Sequence, residues 1–149
     1  MSSFRSIVIA SDHRGYWLKK DIIERLKERG FYIVDFGAEN DCIPVDYVGY
    51  AKRISEYVLS NDETFGVLIG YFGLGMTIAA NRFKGIRAVF CNRIDIPQMA
   101  RETFNANIIC LGSNFISVEH AVRCLEIFAT TTFDERHSFM INKIDEDEP

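Results

Sequence analysis

Apolar residues fall along the chain in two alternating rhythms. Short runs rich in β-branched residues each precede a stretch in which apolar positions recur three and four apart among charged neighbours. In the first pair, residues 6–10 read as a strand; over 16–29, Leu18, Ile22, Ile23 and Leu26 make one stripe, and Gly30 stands where a helix would end. The pattern predicts a second strand over 31–36, an irregular connection over 37–45 that Pro44 keeps non-helical, and a helix over 47–59 with Ile54, Tyr57 and Val58 facing inward. A third strand, 65–69, leads through Gly70-Tyr71-Phe72-Gly73-Leu74-Gly75 into a helix over 77–83. Strands over 86–91 and 107–111 precede helices near 96–104 and 118–131. Five β-α units in this order predict an α/β protein of three layers, α/β/α, with a five-stranded parallel sheet of Rossmann-like type.

Composition narrows this picture. A chain of 149 residues with 48% hydrophobic content can bury one core without disulfides or metals, and no linker or repeat divides it, so a single domain over 1–149 is expected. The first apolar run, Ile7 to Ala10, is too short for a signal peptide or a membrane span, which predicts a cytoplasmic protein with no membrane partner. The four cysteines (Cys42, Cys91, Cys110, Cys124) lack C-x-x-C spacing and read as reduced thiols, with no metal site. The net charge of -4 equals that of Asp145, Glu146, Asp147 and Glu148 together. The rest of the chain is near neutral, leaving no basic footprint for nucleic acid, and the acidic tail 145–149 reads as a frayed, solvated terminus.

In open α/β sheets ligands bind beyond the carboxyl ends of the strands where strand order reverses, commonly between strands one and three. The loop after strand one carries Asp12, His13, Arg14 and Gly15, able to hold a hydroxyl and a phosphate. The loop after strand three carries Gly73 and Gly75, which let backbone N–H groups turn toward an anion. The glycines do not fit G-x-G-x-x-G and follow the third strand, so no dinucleotide, and no other cofactor, is indicated. Together the two loops point to a phosphorylated small molecule.

An ordered series of residues then carries a family likeness: Ala10-Ser11-Asp12-His13, Gly15, Leu18-Lys19, Val45-Asp46-Tyr47, Gly73-x-Gly75-x-x-Ile78-Ala79-Ala80-Asn81, Gly85-Ile86-Arg87-Ala88, Arg101, Asn107, Leu111-Gly112-Ser113 and Arg136-His137. The chain resembles the ribose-5-phosphate isomerase B family, which includes the two-subunit galactose-6-phosphate isomerase. The resemblance implies a homodimer or dimer of dimers that interconverts ribose 5-phosphate and ribulose 5-phosphate through an enediolate without metal, with sites at the dimer interface. It implies that Asp12 and His13 contact ring oxygens and phosphate, that the turn at Gly73 and Gly75 stabilises the enediolate oxygens, and that Arg136 reaches the phosphate of the neighbouring subunit. Asn81, Gly85 and Arg87 are expected to shape turn and helix.

The sequence also departs from that family. The base that removes the proton from carbon two is a Cys where Gly70 stands here, or a Glu where Met76 stands; Tyr71 and Phe72 replace small residues. The ring-opening His aligns with Thr103, and two phosphate arginines align with Asn114 and Met140. Cys91, at the end of strand four, is a weak substitute candidate for the base. Phe72-Gly73-x-Gly75 resembles the turn of one galactose-6-phosphate isomerase subunit, so a second, related subunit is the alternative partner, with this chain as a catalytically impaired sugar-phosphate-binding component.

Overall fold

The β-branched runs become strands. In the computed structural model, which describes residues 4–146, β1 (Ser6–Ser11), β2 (Tyr32–Asp35), β3 (Thr64–Gly70), β4 (Ala88–Phe90) and β5 (Ile108–Gly112) form one parallel sheet in the order β2-β1-β3-β5-β4. Ile7 pairs with Ile33 on one side and Phe65 on the other, and Leu68 pairs with Cys110. The central strands are covered on both faces, which is why they read as continuous apolar runs rather than alternating ones.

The helices are α1 (Tyr16–Glu28), α2 (Tyr47–Leu59), α3 (Leu74–Ala80), α4 (Ile96–Glu102), α5 (Val118–Thr130) and α6 (Ser138–Asp145). Successive strand side chains point to opposite faces. Ile7, Ile9, Val67, Ile69 and Leu111 therefore meet Ile22 and Leu26 of α1, Ala100 of α4 and Leu125 and Phe128 of α5. Val8, Ala10, Leu68, Ile108 and Cys110 meet Ala51, Ile54 and Val58 of α2 and Met76 and Ala80 of α3. Side-chain caps start two of these helices: Asp46 accepts from Val48 N–H at 3.0 Å, and Ser117 from His120 N–H at 3.3 Å.

Lys19 is fully buried beneath α1, where its ammonium donates to Asp35 at 2.8 Å and to the Ala38 carbonyl at 2.6 Å. Burial lowers its pKa and the bond to Asp35 opposes that shift. This ties α1 to the loop leaving β2.

Three features differ from the sequence expectation. Helix α3 begins at Leu74, three residues early, because Gly73 supplies a left-handed turn (φ 79°) immediately before it. Strand β4 is shorter, since its entry is held by side chains instead of ladder bonds: Asn107 Oδ1 accepts from Arg87 N–H, and the Asn81 amide bonds both backbone groups of Ala88, each at 2.8 Å. Asn81 and Arg87 thus shape this turn as expected. Helix α6 was not expected, and Asp145, assigned by sequence to a frayed tail, ends it and pairs with Arg87 at 2.7 Å. The rest of that tail, 147–149, lies outside the described residues. Among the described residues no helix is long and apolar enough to cross a membrane.

Candidate active site

The strand order places β2 on one side of β1 and the remaining strands beyond β3, so the reversal falls between β1 and β3. Asp12 joins the two loops there. Its N–H donates to the Ile69 carbonyl at 2.9 Å; its Oδ1 accepts from Gly15 N–H at 2.7 Å, and its Oδ2 from Tyr71 N–H at 3.2 Å. Gly15 is required by contact, since a side chain would stand 2.8 Å from the Ile69 carbonyl oxygen. The Asp12-x-x-Gly15 spacing is therefore a capped 3₁₀ turn pressed onto the end of β3.

His13 is half-buried, and its enclosed Nδ1 has no hydrogen-bond partner among the described residues. The Arg14 guanidinium lies 3.8 Å above the Tyr71 ring, and Ser113 Oγ, past the end of β5, donates to the Arg14 carbonyl at 3.2 Å. Three strand ends thus close around one loop.

The turn after β3 is dictated by its glycines. At Gly73 the backbone is left-handed, and a side chain would collide with the Leu111 carbonyl oxygen at 2.6 Å; at Gly75 it would meet the Tyr47 ring at 2.9 Å. At Gly70, a first side-chain carbon would stand 3.3 Å from Asp12 Oδ2 and 3.2 Å from Gly73 N, so the position beside the carboxylate is bare. Half-exposed Phe72 packs near Tyr71 (4.7 Å between ring centroids) and Phe115 (6.0 Å), forming an aromatic lip. Met76 is buried in the core between sheet, α2 and α3.

The other candidates lie elsewhere. Thr103 caps the carboxyl end of α4, and the neighbouring Glu102 carbonyl accepts from Asp134 N–H at 2.9 Å, bringing the Arg136 turn alongside. Helices in this fold run against the strands, so this is the amino edge of the sheet, opposite Asp12, His13 and the glycine turn. Arg136 is exposed and held by Asp134, with Nε at 2.9 Å; the guanidinium pulls the Asp134 carboxyl down to about 2. Within one chain, Arg136 and Thr103 do not meet Asp12.

Cys91 does not fit the role of base. It sits in the core at the end of β4, separated from β3 by β5, with its thiol donating to the Arg93 carbonyl at 3.4 Å. A hydrogen bond with Cys124, then burial, push its pKa up, away from a reactive thiolate. The sequence pattern does not reveal the Arg14–Tyr71 stack, which joins two loops far apart in the chain, or the Tyr47 ring over Gly75, for which the Val45-Asp46-Tyr47 likeness is the one signal.

An open parallel sheet whose reversal point gathers a carboxylate, an imidazole and a glycine-lined turn has the layout of a doubly wound small-molecule-binding protein. The sequence profile of the Ribose/Galactose Isomerase family matches residues 7–144. Ribose-5-phosphate isomerase B of Escherichia coli is 31% identical, covering 94% of each chain. A Thermotoga maritima ribose 5-phosphate isomerase structure superposes with a TM-score of 0.91 at 42% identity, covering 95% of this chain and 98% of that one. Ribose-5-phosphate isomerase B of Mycoplasma genitalium, solved with bound ribulose-5-phosphate, gives 0.88 at 36% identity, covering 93% of each. The chain belongs to the ribose-5-phosphate isomerase B and galactose-6-phosphate isomerase family of sugar phosphate isomerases.

Proposed function

We propose that this chain is a cytoplasmic aldose–ketose isomerase that takes ribose 5-phosphate to ribulose 5-phosphate through an enediolate, at a turnover well below that of relatives with a base at the Gly70 position. The observation that carries this reading is the Asp12 carboxylate, bonded to Gly15 and Tyr71 N–H groups so that it joins the β1 loop to the glycine turn. In this reading Asp12 and His13 hold hydroxyl and phosphate oxygens, and the backbone of the turn at Gly73 and Gly75 faces the enediolate oxygens. Arg136 serves the site of a second protomer in a homodimer or dimer of dimers, because within its own chain it lies at the wrong end of the sheet. The ribulose-5-phosphate complex of the Mycoplasma genitalium relative supports a sugar phosphate as ligand.

A second reading has its own support. Gly70 carries no proton-accepting side chain, and Tyr71, Phe72 and Phe115 crowd the neighbouring surface, as suits a sugar-phosphate-binding subunit that works with a related chain. One pair of measurements on the purified chain separates them. Calorimetry with ribose 5-phosphate should detect binding at millimolar concentration or below. A coupled assay should detect turnover at least about a hundredfold below a relative with the usual base, the low end of what a positioned base contributes. Binding without turnover selects the second reading, and no binding overturns both.

A further inference from the structure

Isomerisation needs a group that takes a proton from carbon, and Gly70, Phe72 and Met76 offer none. Resting on the isomerase reading, we propose that the Asp12 carboxylate is that proton acceptor. Its Oδ2 lies 3.3 Å from the point where a side chain at Gly70 would begin, so a carboxylate oxygen, and no side chain of residue 70, stands at this point of the turn. The carboxylate of Asp46 is engaged at the start of α2, where it accepts from Val48 N–H.

The hydrogen bonds leave Oδ2 available. Oδ1 is engaged by Gly15 N–H at 2.7 Å, whereas Oδ2 accepts one longer bond, 3.2 Å, from Tyr71 N–H. A carboxylate oxygen has two acceptor sites, so one remains. Both bonds come from backbone and fix the carboxylate before substrate arrives, so no reorganisation is needed when the proton moves. In the open-chain aldose, Asp12 takes the proton from carbon two; the electrons of that C–H bond form the C1=C2 double bond, and negative charge moves to O1. The O2 proton then passes to O1, the protonated Asp12 returns its proton to carbon one, and the ketose forms with no co-reactant.

The test follows deuterium. The full chain is incubated with ribose 5-phosphate or ribulose 5-phosphate in D2O, and incorporation at carbons one and two is read by NMR against a buffer control. Wild type should exchange, and Asp12→Asn and Asp12→Ala, checked for folding by circular dichroism, should lose at least about a hundredfold of that rate. Formate should restore exchange to Asp12→Ala but not to Asp12→Asn, because only the former leaves room for a small carboxylate. A folded Asp12 variant that still exchanges, or a folded Asp12→Ala that formate does not rescue, overturns the assignment. If neither variant folds, His13→Asn at saturating sugar phosphate decides: exchange that persists supports Asp12, and a loss of about a hundredfold or more points to His13 as the acceptor and overturns the proposal. Wild type that binds sugar phosphate without exchanging any deuterium instead fails the isomerase reading itself.

Discussion

Asp12 and Arg136 stand at opposite edges of one protomer's sheet, so the shared-site reading makes a quantitative demand on mixed dimers. Asp12→Ala should spoil the carboxyl-edge half of a site and leave the amino-edge half whole; Arg136→Ala should do the reverse. Removing a charge-assisted hydrogen bond from Arg136 to phosphate costs about 1.5–3 kcal/mol, which is roughly ten- to a hundredfold in Kd. Mixed in equal amounts and allowed to exchange, the two variants form heterodimers as about half of all dimers, and in each heterodimer one site inherits both lesions while the other inherits neither. About one quarter of all sites are then wild type, although each parent alone has none. Calorimetry with ribose 5-phosphate should find that fraction binding with wild-type affinity. The reasoning fails if the mixture binds no better than its parents, if Arg136→Ala alone binds normally, or if light scattering finds a monomer at micromolar concentration.

Two further outcomes follow from the ion pairs Lys19–Asp35 and Arg136–Asp134. Lys19→Met removes bonds to Asp35 and the Ala38 carbonyl but also relieves the ammonium's desolvation; with Asp35 partly open to solvent, the net loss should be about 1–3 kcal/mol, read as a lower denaturant midpoint. Asp134 should titrate near about 2 rather than 3.8 by carboxyl-carbon NMR, because Arg136 favours its charged form. Its folded pKa is depressed, so its contribution to holding the Arg136 turn is present above 3.8 and lost as pH falls toward 2, and Arg136→Ala should return the midpoint toward 3.8.

The parts of the molecule legible in the sequence are those fixed by local pattern. β1, β3 and β5 are buried on both faces and so announce themselves as apolar runs, and Asp12, His13, Gly73 and Gly75 fall on the predicted edge because each directly follows such a run. Features set by partners distant in sequence were not legible. Cys91 is withdrawn from chemistry by Cys124 and the Arg93 carbonyl, which no spacing rule connects to it. Helix α6 has a single buried residue, Ile141, while Phe139, Met140 and Ile144 are exposed, so its pattern does not rise above that of a polar tail.

Gly70 shows why an altered site cannot be understood one residue at a time. A cysteine there would set its first carbon 3.2 Å from Gly73 N and 3.3 Å from Asp12 Oδ2, closer than side-chain carbons ordinarily pack. The turn and the carboxylate leave little room for a side chain at position 70. Tyr71 contributes to this, since its N–H holds Asp12 Oδ2 and its ring holds Arg14. Adding a thiol alone would push on the group that ties the β1 and β3 loops together, and residues that act as one unit do not combine additively. Returning the family's base to this chain is therefore a change of the whole turn, in which Gly70, Tyr71 and Phe72 alter together, and Thr103 on the opposite edge follows only if a second protomer brings that edge to the site.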